Sequence, residues 1–461
     1  MDEDFLTKKE SLMAIFAFLA YSDATILVHQ KTPWKIFKDL NRILSHVQPE
    51  QKLVWGPAID ISWLRSIIGF PTAAEYITSL VSKPNTLITD LARTNMFPGL
   101  ANMIKSVRKN VMHSSIFNKA VSMSSVLARP LMDMGVFTNV FLQSASFFSR
   151  SMMYVVEGFT DPDDMNKNEY TEYTVAIRGA NPYSIASFYS VFDISSQVVW
   201  DHNEAFSDLP DTVSFDNNVP CISRGTYHAL NRHLKMAPRP GFHSAEVSIT
   251  KFFTTKIDEN EKNEKKKIKI NITGHSLGGI IAPSLALWLY EEFKKAGLQE
   301  KVEFHIYTFG SPTPGNKKFV DYINEIFGEN CRRYVNNLDA CVYQFDDSSI
   351  AKLHDLYKEL GIEPDPFAVE YVKVVERLAK DKGYTHLINQ KSIFSAICKD
   401  SLDDYMSQGV YQHLYPYINA VERAIGKEEG LYGMKWEKLL IDVHDILNAV
   451  YDSYSTLYPF V

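Results

Sequence analysis

Four cysteines in 461 residues, Cys221, Cys331, Cys341 and Cys398, are too few for a disulfide framework in a chain this long and too far apart for a zinc site. They fit mostly buried thiols in a reducing compartment. No run approaches the roughly 18 apolar residues that cross a bilayer, which argues against an integral membrane protein. Leu12–Ala20 has the length of a signal h-region, but Asp2, Glu3, Asp4 and Glu10 stand where a positive n-region belongs, so the stretch reads as a core helix. The same features favour a cytoplasmic location, with non-classical secretion as the alternative. Positive charge is not in excess either: 48 Lys+Arg face 55 Asp+Glu, and a formal net charge of -7 offers no basic field to nucleic acid. There is no internal repeat, and the one low-complexity tract, 257–267, has the dense mixed charge of an exposed loop. What is present is ordinary for a folded chain, with 45% apolar, 13% aromatic and 22% charged residues, which excludes disorder. The length leaves room for two to four units, or for one large enzyme domain with insertions.

Apolar spacing near 3.6 predicts helices through 8–150, clearest at 34–47 (Trp34, Ile36, Phe37, Leu40, Ile43, Leu44, Val47) and repeated at 72–81 and 99–128. From about 151 the texture changes. Runs at 151–156, 171–177, 268–273 and 302–309 are rich in Val, Ile, Tyr and Phe and predict strands. Helical stretches at 182–193, 225–235, 242–254, 279–296 and 315–327 lie between or after them, and this alternation predicts an α/β fold with a mostly parallel sheet and crossover helices. After 345 the chain is helical again and ends on an amphipathic stretch at 433–455. The expected division is therefore a helical N-terminal region (1–150), an α/β core (151–425) and a C-terminal helical segment (426–461).

One motif carries chemistry. Ile268-Lys-Ile-Asn-Ile-Thr273 runs into Gly274-His275-Ser276-Leu277-Gly278-Gly279 and then into the apolar helix Ile280–Tyr290, giving strand, sharp turn and helix. In such a nucleophile elbow the serine occupies a strained backbone position, and glycines two residues either side let strand and helix cross closely. The helix N-terminus directs free N–H groups at the point where an oxyanion would form. Gly-x-Ser-x-Gly alone is a weak pattern that a turn without chemistry also satisfies; the strand before it and the helix after it supply the specificity. A serine needs a base, and the base an orienting acid, in the chain order Ser, Asp or Glu, His for α/β-hydrolases. Asp339 closes Arg333-Tyr-Val-Asn-Asn-Leu-Asp339, a strand ending in a turn, and so falls at the strand end where α/β sites gather. Asp346 and Asp347 compete with it, although their adjacent charges suit a solvated loop. Of the histidines that follow, His354 and His444 fit structural or surface positions. His386 and His413 are both credible bases, and chemistry does not separate them.

Taken together, these residues resemble the class 3, fungal-lipase-like, family of α/β-hydrolases. Val175-Ala-Ile-Arg-Gly-Ala180 is similar to the family's strand ending in Arg-Gly, Gly274–Gly279 to its elbow, and Tyr307-Thr-Phe-Gly-Ser-Pro312 with Gly315-Asn316 to the block that follows. Tyr334-Val-Asn-Asn-x-Asp339 resembles the acid block, His413-Leu with Tyr417 the terminal histidine block, and Leu19-Ala-Tyr-Ser22 the opening helix. The resemblance covers about 171–420. It implies Ser276 as nucleophile, His413 as general base and acid, and Asp339 as its orienter, with the backbone N–H groups of Ala180 and Leu277 as the oxyanion hole; His386 then belongs to the strand before the histidine loop. It further implies hydrolysis of lipid acyl esters through an acyl-enzyme, with no metal or organic cofactor. A phospholipase A, an acyltransferase or a catalytically idle interaction scaffold are the alternatives on the same frame. The expected partner is a lipid or ester substrate, with contact at a lipid surface a further expectation. The chain departs from the family at Ala180, where Ser or Thr is common, at Thr313 and Pro314, and at Pro283 in the elbow helix.

About 150 residues separate Ser22 from the first matched strand, and the family does not account for them. Eight methionines between 96 and 153, with Phe137, Phe141, Phe147 and Phe148, suit a lid or acyl-binding cap. The same residues at helical spacing equally suit plain core. Lys105, Arg108, Lys109 and Lys119 fit either anionic lipid head groups or a solvated helix face.

Overall fold

Short β-branched and aromatic runs become the strands at the centre of the molecule. The computed structural model describes residues 6–23, 33–47, 51–59, 151–161, 164–166, 168–180, 191, 193–201, 218–238, 247–262, 267–364, 366–392, 401–426 and 436–457. The main sheet has seven strands in the order β1 (Lys52–Ile59), β2 (Met152–Glu157), β3 (Tyr170–Ile177), β6 (Lys267–His275), β7 (Val302–Phe309), β9 (Cys331–Val335) and β11 (Gln390–Ser392). From β3 to β11 all neighbours are parallel; β2 and then β1 add antiparallel at one edge. A second, antiparallel sheet of β10 (Tyr384–Thr385), β8 (Gly315–Asn316), β5 (Cys221–Ser223) and β4 (Gln197–Val199) lies apart from it. This is the α/β fold with a mostly parallel sheet that the alternation of strand and helix predicts.

Alternation along each strand sorts side chains into two cores. Ile268, Ile270 and Ile272 of β6 join Val175 and Ile306 on one face. That face is covered by α3 (Arg224–Lys235), α4 (Ile249–Lys262), α5 (Leu277–Lys295), α6 (Lys317–Phe327) and α7 (Pro366–Ala379). On the other face Ala176, Tyr307, Phe309 and Tyr334 meet α1 (Lys8–Leu19), α2 (Pro33–Leu44), α8 (Tyr405–Gly426) and α9 (Trp436–Leu457). Helix α1 is apolar on every side, and Glu10 to Leu19 are all buried, as befits a helix enclosed between a sheet and further helices. It opens with a capping box between Thr7 and Glu10, and Glu10 also accepts a hydrogen bond from the Tyr334 hydroxyl at 2.6 Å. Thr273, on the polar side of β6, donates to the Met13 carbonyl at 2.9 Å and seats the helix on the sheet. Among the described residues no helix is long and apolar enough to cross a membrane.

Three expectations change. Residues 52–59, inside the stretch predicted helical, form the edge strand β1; Pro57 has no N–H to give a ladder, and an edge tolerates it. The helix predicted at 242–254 runs instead from Ile249 to Lys262 and takes in the charged start of the tract read as a loop, because Ile257 and Asn260 face inward while Asp258, Glu259 and Glu261 face water. The described elements before residue 60 do not stand apart from the core, since α1 and β1 are layers of it. The helices predicted at 72–81 and 99–128, most of that at 182–193, and the cap candidate up to residue 150 lie outside the described residues; Met152 and Met153 are buried in β2.

Candidate active site

Strand β6 ends at His275, and the chain turns at Ser276 with φ 57° and ψ -126° before α5 begins at Leu277. A side chain in that conformation is strained and persists only where the surroundings impose it. Close packing does so here. A Cβ on Gly274 would overlap the Gly278 carbonyl, and one on Gly278 would overlap the Ile177 carbonyl of β3, so both flanking positions require glycine. The Ser276 N–H is fixed to the Phe309 carbonyl at 2.9 Å. In the first turn of α5, Gly279 and Ile280 donate to the Ser276 carbonyl, whereas the N–H groups of Leu277 and Gly278 precede the intrahelical ladder. The loop after β3 lies against the elbow: a Cβ on Gly179 would stand 2.9 Å from the Ser276 Cβ and 2.8 Å from the His275 carbonyl oxygen, with buried Ala180 next in chain.

Strand β9 ends at Val335 and delivers Asp339, whose side chain has no exposure to solvent. Both carboxylate oxygens stand 3.0 Å from His413 Nδ1, Oδ1 accepts from the Cys341 N–H at 2.9 Å, and Oδ2 accepts from the Tyr417 hydroxyl at 2.6 Å. An ionised carboxylate only accepts, so Nδ1 of His413 carries the hydrogen and Nε2 of the neutral ring keeps a free lone pair. Burial disfavours the imidazolium, but the charge and hydrogen bond of Asp339 outweigh it and hold His413 well above the ordinary histidine value. His275, which precedes Ser276, packs against His413: its ring centre is 4.4 Å from that of His413 and its Nε2 is 2.7 Å from the His413 carbonyl oxygen. The structure therefore gathers Ser276, Asp339 and His413 at the carboxyl ends of β6 and β9 and on α8, with Gly179 and Ala180 against the elbow. Asp339, Cys341 and His413 also bring potential metal-ligating atoms within 4.8 Å of one another, the one such group among the described residues. The Asp339 oxygens there are already engaged by His413, Tyr417 and the Cys341 amide.

His386 is elsewhere. Its Nε2 pairs with the Ser349 hydroxyl at 3.0 Å, its N–H with Asp346 Oδ2 at 3.3 Å, and burial drives its ring well below the ordinary value. Asp346 is buried, contrary to the solvated loop expected of it, because it holds the Ser348 N–H at 2.8 Å; Asp347 alone is exposed. His354 and His444 pair with Glu376 and Glu422 at 2.8 and 2.7 Å, as structural or surface residues do. Several neighbours escaped sequence reading. Tyr21 donates to His275 Nδ1 at 2.9 Å. Asn336 and Tyr417 flank the acid, and buried Arg333 holds the carbonyls of Ser311 and Val342 at 3.0 and 2.6 Å beneath it. Burial lowers the Arg333 guanidinium to about 10, which leaves it charged at neutral pH. Tyr21, Asn336 and Tyr417 lie within matched blocks and Arg333 next to one, and that placement is the signal available in the sequence.

A mostly parallel sheet flanked by helices, with a serine at a strand-to-helix elbow and an Asp–His pair beside it, defines an α/β-hydrolase fold. Residues 174–342 match the family described as Lipase (class 3). Among solved structures, M37 lipase is similar at 21% identity, over 95% of this chain and all of that one, with a TM-score of 0.58, a likeness of fold. A lipase from Rhizopus microsporus var. chinensis (20% identity, 41% of this chain and 50% of that one, TM-score 0.26) and Lip2 lipase from Yarrowia lipolytica (15%, 53% and 67%, TM-score 0.28) match over smaller parts. None of the curated proteins matches the chain.

Proposed function

We propose that this protein is a serine hydrolase that cleaves acyl esters of lipids through an acyl-enzyme, with Ser276 as nucleophile, His413 as general base and acid, and Asp339 as its orienter. The observation that carries this reading is the buried Asp339–His413 pair at 3.0 Å, packed against the residue that precedes a serine at φ 57°. The Ser276 hydroxyl passes its proton to His413 Nε2 as Oγ bonds to the ester carbonyl carbon. The N–H groups of Leu277 and Ala180 receive the oxyanion. His413 returns the proton to the leaving alcohol, and water, activated by the same ring, then splits the acyl-enzyme into carboxylic acid and free serine. Asp339 keeps the imidazole in the required tautomer and stabilises its charged form.

A panel of short and long acyl esters beside phospholipids, assayed on the parent and on Ser276→Ala, tests this reading. The variant should lose on the order of 10⁴-fold in kcat with an unchanged melting transition. Activity within tenfold of the parent would reject the nucleophile. Turnover of phospholipids alone would favour a phospholipase, acyl transfer to added alcohol in preference to water an acyltransferase, and no turnover by the parent an interaction scaffold.

A further inference from the structure

His413 sits inside helix α8, and Pro416 follows three residues later in the same helix. A carbonyl in a helix interior is normally taken by the N–H four residues on; Pro416 has none, so the buried Gln412 carbonyl loses its helical partner, and the proline ring crowds it. Its hydrogen bond comes from outside the helix. Asn336 Nδ2 donates to the Gln412 carbonyl at 2.8 Å and lies 3.0 Å from Gln412 Oε1, while Asn336 Oδ1 accepts from the Leu338 N–H at 3.0 Å. Asn336 belongs to the loop that carries Asp339. The next carbonyl, that of His413 itself, accepts from His275 Nε2 at 2.7 Å, and His275 adjoins Ser276.

We infer that Pro416, Asn336 and His275 are positioning residues: the proline opens the helix at the base, and the two side chains tie the backbone of 412–413 to the acid loop and to the nucleophile elbow. This inference rests on the serine hydrolase reading given above. The tautomer of His275 follows from the geometry. A carbonyl only accepts, so Nε2 carries the hydrogen, and Nδ1 of the neutral ring accepts from the Tyr21 hydroxyl at 2.9 Å. Burial, with the neighbouring His413, keeps the ring far below the ordinary histidine value, so this donor and acceptor arrangement persists across the working range. The base is thus placed through its own peptide backbone relative to both partners, which is the precision that proton transfer from serine demands.

The test measures kcat and KM on a short, water-soluble ester, per active site titrated to completion with a fluorophosphonate, for His275→Phe, His275→Gln, Pro416→Ala and the Phe and Ala changes combined. Failure of the parent to label or turn over would sink the hydrolase reading itself, whatever the variants do. With an active parent, His275→Phe and Pro416→Ala should each lower kcat per titrated site on the order of 10²-fold with little change in KM. Their combination should add little, because both undo the hold that ties the one 412–413 segment to its neighbours. His275→Gln, which can still donate to the His413 carbonyl, should restore most of the loss. Unchanged kcat per titrated site in Pro416→Ala and His275→Phe, with only the melting temperature lowered, would overturn the inference. Where His275→Phe does not fold, the Pro416→Ala result decides alone.

Discussion

At the scale of single residues, His413 is buried and His386 half-buried, each within reach of an aspartate, yet their surroundings assign them opposite states. Asp339 faces His413 at 3.0 Å and raises it, whereas burial beside the Arg333 charge keeps His386 neutral. His413→Ala should therefore match Ser276→Ala in lost kcat, while His386→Ala costs stability and little turnover; the reverse order in the two rate constants would reject His413 as base. The pH dependence follows in sign. Only neutral His413 accepts the serine proton, so kcat/KM should fall as pH drops through a value above the ordinary 6.5 or so. Asp339→Asn should move that fall to lower pH and cut kcat by roughly 10⁴-fold, through the wrong tautomer; a limb that stays in place would exclude Asp339 as the partner. The same raised value stabilises the fold below about pH 6.5 and fades as pH rises through the folded value. The three positions proposed for the triad stand in the sequence as ordered blocks, although the residues alone left His386 and His413 tied. The roles of Tyr21 and Asn336 were not legible there, because they depend on contacts across 254 and 76 positions that no local pattern encodes.

At the scale of elements, β6, β7 and the elbow helix were legible because each is a long apolar run with one period, and β7 spans the predicted 302–309. Strand β1 was not. Gly56-Pro57 interrupts its pattern, and the strand exists through pairing with β2, about 100 residues away. The elbow crossing sets the tightest constraint between elements. Gly278→Ala would push a methyl group into the Ile177 carbonyl. It should destabilise the protein by about 1–3 kcal/mol, as overpacking does, and lower activity by shifting α5 from β3. A melting temperature equal to the parent's would show that the crossing is looser than described.

At the scale of the molecule, α1 couples the beginning of the chain to the half that carries His413. It lies between the sheet and α8, the helix that carries His413, and buries six large apolar side chains, Leu12, Met13, Ile15, Phe16, Phe18 and Leu19. At roughly 1.5–3 kcal/mol each, their burial rivals the whole net stability of a typical domain, about 5–15 kcal/mol. A chain starting at residue 151 should accordingly show no cooperative melting transition, even though it retains every residue proposed for the triad; a sharp transition would make the α/β core independent of α1. The most direct measurement is made on the full-length protein. After reaction with a fluorophosphonate, peptide mapping by mass spectrometry should find one adduct, on Ser276, formed far more slowly in His413→Ala. An adduct on another residue, or none on the folded parent, would contradict the assignment of Ser276 as nucleophile.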